Sequence, residues 1–227
     1  GFPTDAKSAQ AYTLALTAID LGDGDTALDH LNEALAINQD NPLLLSARAQ
    51  AWTLQGYSQR AKEDAKRAFD LRDGLSSEME LTLEAHLLET SGDWVEAANK
   101  WQALHQFYPD DLDYGLELVR AQTKADLFVP GLETVNALKA LPTPLNEDPR
   151  IDLSLSRIHT RAGRYSAALE TADQALAHAR NLSAPALVAE IQLAAVAADA
   201  PDKYERLQEA RTIYNDIHSP RGVAMTL

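Results

Sequence analysis

The heptapeptide "LGDGDTA" (Leu21–Ala27) recurs along the chain in altered form. Its other copies are "QGYSQRA" (Gln55–Ala61), "SGDWVEA" (Ser91–Ala97), "AGRYSAA" (Ala162–Ala168) and a degenerate "ADLFVPG" (Ala125–Gly131). The second residue of each copy is the turn residue, and successive turn residues lie 34 to 37 positions apart: Gly22, Gly56, Gly92, Asp126 and Gly163. A period of this length predicts a repeat architecture, in which each unit buries its apolar face against the next.

Small and apolar residues keep phase with these turns. They occur 5, 9 and 12 positions after each turn residue, as in Ala27, Leu31 and Ala34, or Ala168, Ala172 and Ala175. This spacing places them on one face of a helix. Further small residues lie upstream of the turns, at Ala15, Ala49, Ala85 and Ser156. Each unit is therefore predicted to be two closely packed helices joined by a tight turn, for which glycine supplies the backbone conformation.

The glycines and aspartates of "LGDGDTA" could instead belong to an ion-binding loop. A calcium loop needs the pattern D-x-[DN]-x-[DN]-G with a distant glutamate, and a phosphate loop needs a preceding strand and a lysine. Neither pattern continues from this stretch. We therefore interpret the stretch as a turn, with Asp25 or Thr26 capping the next helix.

The unit resembles the tetratricopeptide repeat, which has 34 residues and an A-x3-F core. "AANKWQALHQFYP" (Ala97–Pro109) is the best match, although the early tryptophan is missing and most units lack the late proline. The resemblance implies an all-α fold, an α-solenoid in which antiparallel helix pairs form a right-handed superhelix. We expect one array of six pairs and the start of a further helix at 220–227, the pairs being 8–41, 42–77, 78–111, 112–148, 149–183 and 184–217.

Two segments interrupt the helical pattern. Three prolines in "ALPTPLNEDPR" (Ala140–Arg150) prevent a continuous helix, which predicts a bend or hinge between the fourth and fifth units. "APDK" (Ala200–Lys203) is the predicted turn of the sixth unit.

Composition limits the classes of partner and of chemistry. The 227 residues include 34 Asp+Glu and 20 Lys+Arg, a net charge of −14, which disfavours binding to nucleic acid or to an anionic membrane. The absence of cysteine excludes disulfides, thiolate nucleophiles and zinc fingers. No apolar run reaches the length of a membrane span. We expect the chain to be a fragment whose only link to a membrane would lie in a region outside it.

Longer strings resemble the repeat region that follows the kinase domain in bacterial eukaryotic-like Ser/Thr protein kinases, and that also occurs in winged-helix transcriptional regulators. Two of them are "GDWVEAANKWQALHQFYPDDLDYGLELVRAQT" (Gly92–Thr123) and "ALPTPLNEDPRIDLSLS" (Ala140–Ser156). The likeness covers about Ala11 to Ala179 and implies a sensor or protein-interaction module. Such a module often follows a transmembrane helix, which implies a periplasmic location; a cytoplasmic location is the alternative. The kinase signatures H-R-D and D-F-G are absent, so no phosphotransfer is assigned to this chain.

The sequence shows no catalytic pattern. No G-x-S-x-G elbow occurs, and the six histidines lie on separate predicted helices without a metal-binding pair: His30, His86, His105, His159, His178 and His218. The paired carboxylates Asp110–Asp111 and Glu147–Asp148 are expected to cap helices. We expect no catalytic residue, cofactor or metal site.

The tetratricopeptide resemblance implies that the first helix of each pair lines a concave groove. The groove residues it selects include Tyr12, Leu16 and His86 in the first three units, and Arg120, Lys124, Arg150, Arg157 and Arg161 in the next two. Arg120 and Arg157, like Lys124 and Arg161, are separated by the local repeat length of 37, so equivalent positions should lie side by side. These five cations predict a site for a carboxylate or phosphate. Alternatively, Glu117 and Asp113 neutralise them on a solvated helix face.

Aromatic residues divide between core and groove. Trp52, Trp94, Trp101, Tyr57 and Tyr165 are expected in the core, and Tyr12 and Tyr114 are expected to face the groove.

The leading hypothesis is a non-catalytic module that binds an extended peptide, a partner helix or a small anionic ligand. The runner-up is a scaffold that self-associates through its C-terminal units, because the apolar seam at Pro220–Leu227 would need a cover.

Overall fold

The computed structural model describes residues 2–3, 5–217 and 219–227. Over these residues the protein has thirteen α-helices, one short 3-10 helix (Leu145–Glu147) and no strand. The α-helices are α1 (Ala6–Asp20), α2 (Gly24–Ile37), α3 (Pro42–Leu54), α4 (Ser58–Asp70), α5 (Ser77–Ser91), α6 (Trp94–Phe107), α7 (Leu112–Lys124), α8 (Phe128–Lys139), α9 (Pro149–Arg161), α10 (Tyr165–Asn181), α11 (Pro185–Ala197), α12 (Lys203–Asp216) and α13 (Pro220–Ala224). We call the odd-numbered helices α1 to α11 the leading helices, and α2 to α12 the following helices.

Every predicted turn residue has a positive φ angle. The values are 70° at Gly22, 78° at Gly56, 83° at Gly92, 60° at Asp126 and 71° at Gly163. Aspartate is among the few residues other than glycine that tolerate this conformation, which explains why the degenerate turn keeps the repeat geometry. The turn of the sixth pair has its positive φ at Asp199 (59°), next to the predicted segment.

The heptapeptide Leu21–Ala27 uses its two glycines for different reasons. Gly22 is left-handed and lies in open space, whereas Gly24 is buried at the start of α2. A Cβ atom on Gly24 would lie 2.9 Å from Gln55 Nε2 and 3.1 Å from the Ala51 carbonyl oxygen, so this glycine permits the close approach of α2 and α3. The Asp23 side chain accepts a hydrogen bond from the Thr26 N–H and caps α2. The prediction of Asp25 or Thr26 as the cap was therefore wrong, because the helix starts earlier.

Side-chain caps fix the start of the first five leading helices, α1 to α9. Asp5, Asn41, Ser76, Asp111 and Asp148 each accept a backbone N–H from the first turn of α1, α3, α5, α7 and α9 respectively. Such caps typically stabilise a helix by about 1 kcal/mol each. The expected capping roles of Asp111 and Asp148 are confirmed.

The chain divides into two compact units, Gly1–Lys100 and Trp101–Leu227. In the first unit the core is built from small residues that let the helices approach closely, with leucines filling the remaining space. Fully buried examples are Ala15, Ala27, Leu31, Leu44 and Leu45. The small and apolar positions that keep phase with the turns are buried as predicted.

The second unit has a core that follows its helices in order. Val119, Val135, Leu138, Ile151 and Ile158 join α7, α8 and α9. A second cluster joins α9, α10 and α11, and a third joins α11 and α12 to α13. The boundary between the two units falls within α6, and the segment 140–150 lies inside the second unit. A hinge at that segment stays a prediction.

Candidate interaction surface

The five predicted cations lie on two leading helices of the second unit, α7 and α9, which pack together through their apolar faces. Arg120 and Lys124 are on α7; the α9 arginines are Arg150, Arg157 and Arg161. Buried residues on both sides of the arginine row, among them Leu153 and Ile158, hold α9 in the core. The core therefore orients the α9 arginines toward solvent.

Each α9 arginine bonds a carboxylate from another part of the second unit. Arg150 Nη1 donates to Asp113 Oδ1 on α7 (2.9 Å), and its Nη2 donates to Asp148 Oδ2 (2.9 Å). Arg157 Nη2 donates to Glu190 Oε1 on α11.

Arg161 bonds the turn that follows α7. Its Nη2 and Nε both donate to Asp126 Oδ1, at 2.6 and 3.1 Å. The α9 arginines thus join three successive leading helices or their turns by ion pairs.

On α7, Arg120 pairs with Glu117, its Nε lying 2.7 Å from Glu117 Oε2. This is the pairing that the solvated-face interpretation predicted. Asp113, in contrast, reaches Arg150 on α9 instead of a cation on its own helix. Lys124 is exposed at the end of α7.

The ion pairs of the α9 arginines are exposed and contribute little to folding stability. The hydrogen bond with Asp148, and the charges of Asp148 and Asp113, raise the pKa of Arg150, against the opposing effect of burial. The α9 arginine side chains are 43–45% exposed. Exposed ion pairs of this kind contribute about 0–1 kcal/mol each.

In the first unit, His86 on α5 contacts α3. Its Nδ1 lies 2.8 Å from the hydroxyl of Ser46, which is buried, and 3.5 Å from Gln50 Nε2. The predicted groove residues Tyr12 and Leu16 on α1 pack, half-buried, against the first-unit core. Burial raises the pKa of Tyr12. His86 therefore belongs to a polar contact between the leading helices α3 and α5. Tyr12 and Leu16 belong to the apolar packing of α1 against the core.

The aromatic predictions were partly wrong. Trp101 is buried, as expected, but Tyr57 and Tyr165 are 53% and 52% exposed. Both lie at the start of a following helix, directly after the turn, where the side chain is at the end of the helix pair and remains exposed to solvent. Tyr114, expected to face the groove, lies beside the rings of Trp101 and Tyr108 at centroid distances of 6.2 and 5.7 Å.

The described part of the chain contains no group of His, Cys, Asp or Glu side chains that could hold a metal ion. The Nδ1 atoms of His105 and His159 are buried and lack a hydrogen-bond partner within that same part. Burial lowers the pKa of both imidazoles, and the nearby Arg164 lowers that of His159 further. His218 lies outside the described residues.

Two polar networks were missed from the sequence. Arg48 donates to both oxygens of the buried Asp64, which also accepts from Trp52 Nε1. Arg206, only 11% exposed, donates to Asp173 and Asp202 and to the Gln192 amide oxygen. One signal in the sequence could have indicated these networks. The acceptors Asn32, for Arg48, and Asp173, for Arg206, occupy the same repeat position, ten residues after the turn glycine of their unit.

None of the described helices combines the length and the apolarity needed to cross a bilayer.

Comparison with known proteins defines the fold. No family model matches the sequence, and no curated protein matches it. Among solved structures, TTC0263, a tetratricopeptide-repeat (TPR) protein of Thermus thermophilus, has a TM-score of 0.62 at 17% identity, covering 83% of this chain and 99% of its own. The fold is that of a TPR protein. PilW, a type IV pilus biogenesis factor, is also similar, with a TM-score of 0.57 at 17% identity, covering 97% of this chain and 98% of its own. At these identities the TPR likeness concerns the fold alone.

Proposed function

We propose that this TPR protein is a non-catalytic interaction module that binds a protein or peptide partner through the leading helices of its second unit. The observation that carries the proposal is the pair Arg157 and Arg161. Both guanidinium groups are solvent-accessible on one helix, in a chain whose net charge is −14. Arginine is, with tryptophan and tyrosine, one of the residue types enriched among the anchors of protein interfaces.

The test is capture of the partner by the purified protein, followed by reconstitution with the purified partner. The variant R157E/R161E reverses the charge of both arginine side chains, and R180E serves as a control on another helix. Arg180 is also an exposed, ion-paired arginine of the second unit, but it lies on the following helix α10. We expect R157E/R161E to lose the reconstituted complex and R180E to retain it. A wild-type protein that forms no specific complex at moderate salt would refute the proposal.

We propose further that the module senses or recruits within a bacterial signalling protein, either a membrane-tethered Ser/Thr kinase with the module in the periplasm or a winged-helix regulator. The sequence resemblance over Ala11 to Ala179 supports this. The complete reading frame that encodes the module tests it. Kinase signatures in that frame would favour the kinase as the parent protein, and a winged helix would favour the regulator. The absence of both features would refute both assignments.

A second candidate function is self-association. It is favoured by the side chain of Met225, which is 48% exposed after α13. Light scattering over a concentration series, with M225S as the comparison, tests it. A mass that stays monomeric in the wild-type protein would refute it.

A further inference from the structure

Two of the α9 arginines keep hydrogen-bond donors that the described chain does not use. A guanidinium group carries five N–H donors. Among the described residues, Arg157 donates a single hydrogen bond, to Glu190, and Arg161 donates two, both to one oxygen of Asp126. Most donors of both groups are thus available to a carboxylate, which arginine can hold by two parallel hydrogen bonds.

The spacing of these arginines sets the spacing of what they can bind. They are four residues apart on α9, so they lie on one face with Cβ atoms about 5–6 Å apart. Two carboxylates one helical turn apart on a partner helix match this spacing.

The intramolecular acids hold the two arginines apart. Glu190 draws Arg157 toward α11, whereas Asp126 draws Arg161 toward the end of α7. Both acids are substantially exposed, at 47% and 61%, so little desolvation energy opposes their release into water. A partner helix that binds both arginines at once therefore has to displace these acids, because they turn the two guanidinium groups away from each other.

The exposed residues of α11 other than Glu190 are apolar. Glu190 reaches α9, so the face of α11 that carries Glu190 borders the arginines. On that face, seven residues later, lies the exposed Ala197, whereas Leu193 packs against the core cluster of α11 and α12. Glu190 is the single charged residue of α11. Apolar surface therefore lies next to the two cations.

We propose that the partner is an acidic amphipathic segment. Two of its carboxylates, one helical turn apart, bind Arg157 and Arg161 and displace Glu190 and Asp126, while an apolar side chain contacts Ala197. The proposal rests on the proposed function and names the chemistry of its partner. Binding is an exchange of carboxylates, in which the ion pairs within the protein are replaced by ion pairs with the partner. A partner with a single carboxylate does not replace both.

Isothermal titration with synthetic peptides tests the exchange. The probe is an acetylated, amidated helical peptide with two Glu residues four apart and a flanking Leu; its analogues carry Gln at one or both Glu positions. We expect R157Q/R161Q to weaken binding of the two-Glu peptide about tenfold or more, and R180Q to leave it unchanged. D126N/E190Q should tighten binding about two- to fivefold for each acid removed.

The charge-matched control is E133Q/E170Q. Glu133 and Glu170 are exposed on following helices and form no ion pair among the described residues, so their removal changes the net charge equally without freeing an arginine. At moderate salt the control should bind like the wild type.

Equal tightening by D126N/E190Q and E133Q/E170Q would overturn the exchange. If the two-Glu peptide and the Gln peptides bind with equal affinity, the claim that the partner is acidic is overturned. The same holds if inorganic phosphate binds as tightly as the two-Glu peptide. If the reconstituted partner complex survives R157Q/R161Q, the inference fails while the proposed interaction function stands; if no partner complex forms with the wild type, the proposed function itself fails.

Discussion

The two glycines of the heptapeptide Leu21–Ala27 should respond differently to substitution. Gly22→Ala places a side chain in a left-handed conformation that costs about 1–2 kcal/mol, partly offset by the reduced entropy of the unfolded chain. Because space at Gly22 is open, Gly22→Asn should cost less than Gly22→Ala.

Gly24→Ala is costly through contact. The new Cβ atom would lie 2.9 Å from Gln55 Nε2 and 3.0 Å from Gln55 Cγ, as well as 3.1 Å from the Ala51 carbonyl oxygen. Overpacking of this kind costs about 1–3 kcal/mol. Removing the Gln55 side chain by Gln55→Ala should relieve part of the clash, so the Gly24→Ala/Gln55→Ala pair should be non-additive by about 0.5 kcal/mol or more.

The assay is a double-mutant cycle of unfolding free energies from urea titrations. Gln55→Ala should rescue Gly24→Ala and leave the cost of Gly22→Ala unchanged, because a Cβ atom added to Gly22 would not come within 4 Å of Gln55. Strict additivity for the Gly24 pair, or equal rescue of both glycine variants, would refute the assignment of one glycine to backbone conformation and the other to helix contact.

Three further predictions concern stability. Trp101→Ala should cost about 3–5 kcal/mol in a urea titration, since this side chain is 2% exposed, whereas Tyr165→Ala should cost less than about 1 kcal/mol; similar costs would contradict the assigned burial. Asp148→Ala should destabilise α9 by about 1 kcal/mol and Asp148→Asn by less, because asparagine still caps; amide exchange in α9 distinguishes them. The lowered pKa values of His105 and His159 mean that the unfolded state binds more protons below the ordinary value of 6.5. Stability should therefore be complete above that pH and fall as the pH drops below it, and His105→Asn/His159→Asn should flatten this dependence; an unchanged pH profile would contradict it.

The helices and turns were predictable because they follow the repeat. Phase alone marked Asp126 as a turn residue, and its φ of 60° agrees. The buried faces followed from spacing on one helix, as at Ala168, Ala172 and Ala175. Periodicity does not determine the residue at which a helix begins after its turn. For this reason the predicted cap of α2 and the predicted burial of Tyr57 were wrong.

The candidate surface was only half predictable. The spacing of Arg157 and Arg161 on one helix follows from their positions, but their pairing with Glu190 and Asp126 depends on which leading helices pack side by side. One signal was present in the sequence: Asp113 and Arg150 lie one repeat apart, and residues so related meet on neighbouring leading helices. Opposite charges separated by the repeat length are therefore a usable sign of inter-repeat ion pairs.

Photo-crosslinking in living cells tests most directly the claim that the leading helices of the second unit hold the partner. Benzoylphenylalanine at Ala197, exposed on α11, is compared with the same residue at Glu170, exposed on α10. We predict a covalent adduct with one partner from position 197 that disappears when R157E/R161E is added, and no adduct with that partner from position 170. The same adduct from position 170 with none from position 197, or an adduct indifferent to R157E/R161E, would contradict the claim.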